Sequence, residues 1–202
     1  LDGPAASGKG TLGRRLAAHF GLRHLDTGLL YRAVAHRILQ HGQDPRDAAV
    51  RRAAARDIDP ATLDAEVLRS GEMGEAASVV AADEAVRAAL LDVQRDFART
   101  PPGAVLDGRD IGSVVCPDAD VKLYVTATPE VRAARRFEEL TGRGFATTYD
   151  DVLDDIRKRD ARDSGRTVAP LTIAPDAHLL DTTDLDIETA FRTAVGLISA
   201  HV

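Results

Sequence analysis

The residues most suggestive of chemistry in this 202-residue sequence open it: Gly3-Pro4-Ala5-Ala6-Ser7-Gly8-Lys9-Gly10-Thr11. The G-x-x-x-x-G-K core has the spacing of a phosphate-binding loop. Glycines let successive backbone N–H groups converge on a phosphate, and a helix starting at the end of the loop adds partial positive charge. Lys9 can reach β- and γ-phosphates from there, while Ser7 or Thr11 brings a hydroxyl to metal or phosphate oxygens. One position departs from the strict pattern. Gly10 follows Lys9 where Ser or Thr is usual, and Thr11 comes next. An ordinary glycine turn capping a helix is the plain alternative. Two glycines, a lysine and the strand–loop–helix context favour a nucleotide-phosphate site.

Arginine is the second chemical resource. The chain has 23 arginines and only three lysines, at positions 9, 122 and 158. Arginine presents a planar fork that grips carboxylates and phosphates at two points, whereas lysine acts as a point charge. Codon bias in an Ala-rich genome accounts for most of such an excess by itself, so its placement matters more than its number. The net charge of −6 argues against a long nucleic acid or an anionic membrane as partner. A hydrophobic content of 44% with 29% charged residues fits a globular chain. Cys116 is the only cysteine, which excludes an internal disulfide and a multi-cysteine metal cage and fits a reducing cytosol. There is neither an apolar run of membrane-spanning length nor a basic-then-apolar start, so a cytoplasmic protein is expected.

These side chains need elements to hold them. Alternating strand and helix signals predict an α/β fold with a mostly parallel sheet. The chain begins at Leu1 rather than Met, so Leu1-Asp2 is expected to be the stub of a first strand in a trimmed sequence. A helix follows over residues 10–20, stopped by Gly21, then a short strand at His24-Leu25. Asp26 or Thr27 is placed to cap a helix reaching about Leu39. Residues 41–60 are polar and lack a buried-strand run. Helical spacing then extends through 72–98, strands are predicted at 104–107 and 121–126, and Pro129 and Glu130 mark a helix start. The segment 141–170 is dense in charge, 178–180 reads as a last strand and 187–200 as a closing helix.

A guanine-reading Asn-Lys-x-Asp is missing, which removes the GTPase reading of the loop. The remaining motifs are Leu25-Asp-Thr-Gly-Leu-Leu-Tyr-Arg32, Ala76-Ala-Ser78, Asp107-Gly-Arg-Asp-Ile-Gly112, Arg157-Lys-Arg-Asp-Ala-Arg-Asp163 and Arg166-Thr-Val-Ala-Pro170. Together with the phosphate loop, and almost end to end, the sequence resembles the bacterial cytidylate kinases among the nucleoside monophosphate kinases. The resemblance implies a P-loop three-layer fold with a parallel five-stranded sheet. It implies a single kinase domain, with a core of 1–40, 99–140 and 171–202, a nucleotide-monophosphate-binding insertion at about 41–98 and a lid at about 141–170. The reaction implied is phosphoryl transfer from ATP to CMP or dCMP with Mg²⁺, by a monomer. The same machinery acting on UMP or another small acceptor, or a nucleotide-binding module without turnover, are the competing readings.

Residue by residue, the resemblance assigns Gly3 to Thr11 and Arg135 to ATP, and Lys9, Arg109 and Arg166 to catalysis. It assigns Thr27, Arg32, Arg109 and Arg166 to the acceptor phosphate, Asp110 to the acceptor nucleoside, Ser78 and Arg87 to the cytosine edge, and Arg159 and Asp163 to the sugar. Thr11 and Asp107 are the metal candidates. Taken alone, Asp107 reads equally well as the cap of a turn, Ser78 as a small packing residue, and Arg159 with Asp163 as an i,i+4 ion pair. Arginines flanking Gly142 and Gly144, interleaved with Asp150, Asp151, Asp154, Asp155 and Asp160, suggest a segment able to swing over ATP and exclude water. The stretch 59–70 is too short for the additional strands that longer relatives carry there.

Overall fold

The computed structural model describes residues 1–68 and 71–201. In chain order its elements are α1 (Lys9–Phe20), β1 (Arg23–Asp26), α2 (Thr27–Gln40), α3 (Ala48–Ala54), a helical turn at Pro60–Thr62, α4 (Ala65–Leu68), α5 (Gly71–Val80), α6 (Glu84–Arg99), β2 (Ala104–Asp107), a wide helical turn at Ile111–Val115, β3 (Leu123–Thr126), α7 (Pro129–Gly142), α8 (Tyr149–Ser164), β4 (His178–Asp181) and α9 (Ile187–Ser199). They form two compact units, Leu22–Gly108 and the combination of Leu1–Gly21 with Arg109–Val202.

In the unit Leu22–Gly108, β1 pairs with β2 in parallel, Leu25 opposite Leu106 and Asp26 opposite Asp107. Helix α2 starts directly at the end of β1, with Leu30, Val34, Ala35 and Ile38 buried along one face at the expected helical spacing. The continuous helix predicted over 72–98 is corrected: two helices, α5 and α6, are separated by residues 81–83. The cause is Asp83, whose carboxylate accepts from Ala85 N at 2.9 Å and Val86 N at 3.3 Å and so starts a new helix. Apolar periodicity runs on through the break, which hides it in the sequence. Of the shortened stretch 59–70, the described part forms the turn Pro60–Thr62 and α4, without a strand; Arg69 and Ser70 lie outside the described residues.

In the other unit, Asp2 bridges in parallel to Tyr124, and β3 pairs with β4 in parallel from Leu123–His178 to Thr126–Asp181. The described strands thus form two parallel pairs plus this bridge, the α/β class with parallel strands that the sequence predicts. Helix α1 ends where Gly21 adopts φ 66° and donates its N–H to Ala17 O. Pro129 and Glu130 lie in the first turn of α7, as anticipated, and the structure adds Thr128 as its cap. The charge-dense segment supplies α8, capped by Thr148. Helices α7 and α8 pack through Ala133, Val152 and Ile156, with Phe137, Leu140, Tyr149 and Leu153 around them. Among the described residues, no helix is long and apolar enough to cross a membrane.

Candidate active site

The glycine loop follows from local sterics. Gly3 has φ 147°, and a Cβ there would lie 1.9 Å from the carbonyl oxygen of Val125, so only glycine lets the loop leave the strand so close to β3. Ala6 at φ 58° and Gly8 at φ 88° complete the reversal. Gly8 is the N-cap of α1 and supplies no side-chain acceptor, so no capping side chain occupies the first turn, where the helix N-terminus favours an anion. Lys9 is 7% exposed and donates from Nζ to Pro4 O at 3.0 Å, spanning the loop. Ser7 is fully buried and its hydroxyl has no hydrogen-bond partner among the described residues. Thr11 is exposed and accepts from Arg14 Nη2 at 3.3 Å.

The same unit gathers arginines around one carboxylate. Asp163, 1% exposed, accepts from Arg109 Nε at 2.8 Å with one oxygen and from Arg166 Nη2 at 2.5 Å with the other. Arg159 Nε lies 4.0 Å away, so the i,i+4 pair with Asp163 is real and is only one part of a larger cluster. Burial by itself raises the pKa of Asp163, but the fields of Arg109, Arg166 and Arg159 outweigh it and hold the carboxyl below its ordinary range. Four of the acceptor-site candidates are thereby brought together. Asp110, 5% exposed, adjoins them in sequence. Arg135 is placed elsewhere: it donates to Thr182 Oγ1 at 3.0 Å, Thr182 O at 2.6 Å and Leu185 O at 3.4 Å, in the segment between β4 and α9.

Two positioning groups in this unit are absent from the sequence reading. Asp2, 6% exposed, accepts from Ile111 N and Gly112 N at 2.7 Å each, fixing the loop that carries Arg109 and Asp110. Its place beside the glycine loop was the only signal, because its partners lie more than 100 residues away. Arg132, 3% exposed, donates to Ala127 O at 2.8 Å and to both oxygens of Asp160 at 3.0 and 2.6 Å.

In Leu22–Gly108, the hydroxyl of Thr27 donates to Asp107 O at 2.9 Å, tying the start of α2 to the end of β2. Asp107 is 3% exposed and its carboxylate lies 2.7 Å from His24 Nε2, a partner that the sequence reading missed. Arg32 donates to Leu68 O at 2.9 Å. Ser78 is 2% exposed on α5, and its hydroxyl has no hydrogen-bond partner among the described residues. Arg87, 8% exposed on α6, donates to Ala81 O at 3.1 Å and holds its guanidinium 5.4 Å from the centre of the Tyr31 ring. The sequence places Ser78 and Arg87 on one helix; the structure puts them on two, on either side of the Asp83 cap.

As a metal site, the candidates offer hard oxygen donors, the hydroxyl of Thr11 and the carboxylate of Asp107. Among the described residues, no group of three or more His, Cys, Asp or Glu is arranged to hold a metal ion. That donor chemistry fits Mg²⁺, which is usually bound by one or two protein groups, substrate phosphates and water. It does not fit a closed protein cage.

Comparison with known proteins agrees with the motif reading. Residues 1–200 match the family described as cytidylate kinase. The cytidylate kinase of Xanthobacter autotrophicus is 64% identical over 201 residues, covering 100% of this chain and 96% of the relative. That of Methylocella silvestris is 61% identical over 202 residues, covering 100% and 94%. That of Azorhizobium caulinodans is 62% identical over 199 residues, covering 98% and 96%.

Proposed function

Since the chain belongs to the cytidylate kinase family and phosphorylates CMP or dCMP with ATP, we propose the following division of labour among its residues. The phosphate loop takes the donor. Amides from Gly3 to Thr11 surround its phosphates, and Lys9 offsets the charge that shifts onto the β–γ bridging oxygen as that bond breaks. The observation that supports this most directly is the loop itself, with Gly3 against Val125 O and Lys9 held across it.

Arg109 and Arg166 take the acceptor phosphate, aimed by the two oxygens of Asp163, with Arg32 and Thr27 assigned to the same phosphate. Each guanidinium carries five N–H donors in a planar fork, a geometry suited to gripping a phosphate at two points. Arg159 and Asp163 meet the sugar, Asp110 the nucleoside, and Ser78 and Arg87 the cytosine edge. The buried hydroxyl of Ser78 is the kind of donor or acceptor that a base edge satisfies. Transfer is direct and in line, so no residue forms a covalent intermediate. Thr11 and Asp107 are the oxygen donors that would hold Mg²⁺, directly or through water, and the ion would supply charge neutralisation at the phosphates.

Closure of 141–170 over the donor excludes water, which otherwise competes as phosphoryl acceptor. Arg135 anchors the base of that segment and meets ATP upon closure. The finer fold in this reading is a five-stranded parallel sheet with core, insertion and lid as predicted, and the active species is a cytoplasmic monomer. ADP production should be measured with CMP, dCMP, UMP, AMP and shikimate as acceptors. Turnover with the cytidine nucleotides well above the others supports the reading. Equal turnover with UMP would break the base assignment of Ser78 and Arg87 while sparing the phosphate assignments.

A further inference from the structure

Arg132 is used by none of the steps above, yet it is among the most fully engaged side chains in its unit. It is 3% exposed. Its Nε donates to Ala127 O at 2.8 Å at the exit of β3, and Nη1 donates to Ala5 O at 3.2 Å in the phosphate loop. The outer face of the fork meets Asp160 on α8 in a two-point pair, Nη1 to Oδ1 at 3.0 Å and Nη2 to Oδ2 at 2.6 Å. A part-buried bidentate pair of this kind fixes both distance and angle. Next to it, Ala6 packs against the cluster of Ala133, Val152 and Ile156 that joins α7 to α8. The tip of the phosphate loop is therefore linked to α8 by two routes, one a charged strut through Arg132 of α7 to Asp160 and one through the apolar cluster that α7 and α8 share.

Helix α8 has a second duty. One turn beyond Asp160 it carries Asp163, whose carboxylate holds Arg109 and Arg166. An α-helix transmits small displacements as a rigid rod, because its hydrogen-bonded turns do not stretch independently. Whatever fixes the Ala5–Ala6 peptide thus fixes the azimuth of α8 and, with it, the aim of the arginine cluster.

We propose that Arg132 and Asp160 are positioning residues that couple donor and acceptor: ATP phosphates in the loop set α8 through the strut, and α8 presents the Asp163 cluster to the acceptor phosphate. The coupling rests on the assignment of that cluster to CMP made above. It acts in both directions, so CMP tightens the donor by the same factor as the donor tightens CMP. Coupling energies between sites commonly correspond to factors of about 5–150.

The test measures CMP affinity by calorimetry with and without a saturating non-hydrolysable ATP analogue and Mg²⁺. Wild type, Asp160→Asn, Arg132→Lys and Asp163→Asn are compared. The side chain of Asp160 is 26% exposed, so its amide variant is accommodated without burying a new group, and it decides the question even if Arg132→Lys fails to fold. In wild type the analogue tightens CMP by about tenfold, within the usual range of coupling factors. In Asp160→Asn the ratio drops to about one, while CMP affinity without the analogue stays within about twofold of wild type. A wild-type ratio of one, or an undiminished ratio in Asp160→Asn, overturns the proposal. So does an equal loss of CMP affinity with and without the analogue, which makes Asp160 a structural prop. If Asp163→Asn leaves CMP affinity untouched, the acceptor assignment itself fails, an outcome separate from the fate of the strut.

Discussion

Arg109 and Asp163 are 54 residues apart in sequence and meet through a 2.8 Å bond from Nε to Oδ2, with the carboxylate 1% exposed. A buried anion facing two close guanidiniums and a third at 4.0 Å has a defined pH signature. Its folded-state pKa lies below the ordinary value, so its contribution to stability is present above the unfolded pKa of about 3.9 and is lost as pH falls through the folded value. Replacing Asp163 by Asn leaves buried arginine charge uncompensated and costs about 3–5 kcal/mol at neutral pH. Urea denaturation of both proteins from pH 7 downward should show that gap constant above about pH 5 and closing only in acid. A gap that does not change with pH would show that the carboxylate charge contributes nothing there.

Substitution of Lys9 by Met separates charge from packing in the phosphate loop. The side chain is buried and its ammonium spans to Pro4 O, so Met fills the space without the charge. Turnover should fall by about 10²–10³, the range for loss of one preorganised stabilising group, while ATP binding weakens far less. CMP-dependent ADP production paired with nucleotide titration reads both quantities. Unchanged turnover would remove Lys9 from catalysis.

Ser78→Ala is predicted to move stability and activity in opposite directions. Its buried hydroxyl has no hydrogen-bond partner among the described residues, so deleting it is expected to be neutral or to stabilise the fold by about 1 kcal/mol. If the base edge is its partner, kcat/KM for CMP drops by about 10–100-fold and discrimination against UMP narrows. Thermal melting and steady-state kinetics on the same preparation give the answer. A stability loss with intact selectivity would make Ser78 a packing residue.

Gly3→Ala should be far more damaging than a one-methyl change elsewhere. The new Cβ meets Val125 O, a backbone atom that cannot move aside, and the glycine φ of 147° is unfavourable for any L side chain. Loss of nucleotide binding and a destabilisation of about 3 kcal/mol or more are expected by titration and urea melts. An active, stable alanine variant would contradict the close approach of loop and strand.

What could be read from sequence was what is local. The glycine loop, the Gly21 stop, Pro129 at a helix start and the Asp26–Thr27 junction depend on neighbours within a few residues, and each lies where spacing put it. The α5–α6 break was invisible because alanines and valines continue the apolar period across 81–83, and a capping aspartate looks the same as a surface one until its acceptor geometry is known. The clamp of Asp2 on Ile111 and Gly112, the hold of His24 on Asp107 and the reach of Arg132 to Ala5 join residues 83–127 positions apart. No periodicity encodes such pairings. The arginine cluster was half legible: motif resemblance named its members, and only packing showed that a single carboxylate gathers three of them.

The Asp83 cap makes the joint between α5 and α6 a natural dial for engineering. Ser78 lies before it and Arg87 after it, so adding or removing one residue at 81–83 turns one helix about its axis by about 100° relative to the other. No residue that touches a ligand need change. A small library varying only the length and composition of this hinge could therefore search for altered base preference while the phosphate-handling residues stay as they are.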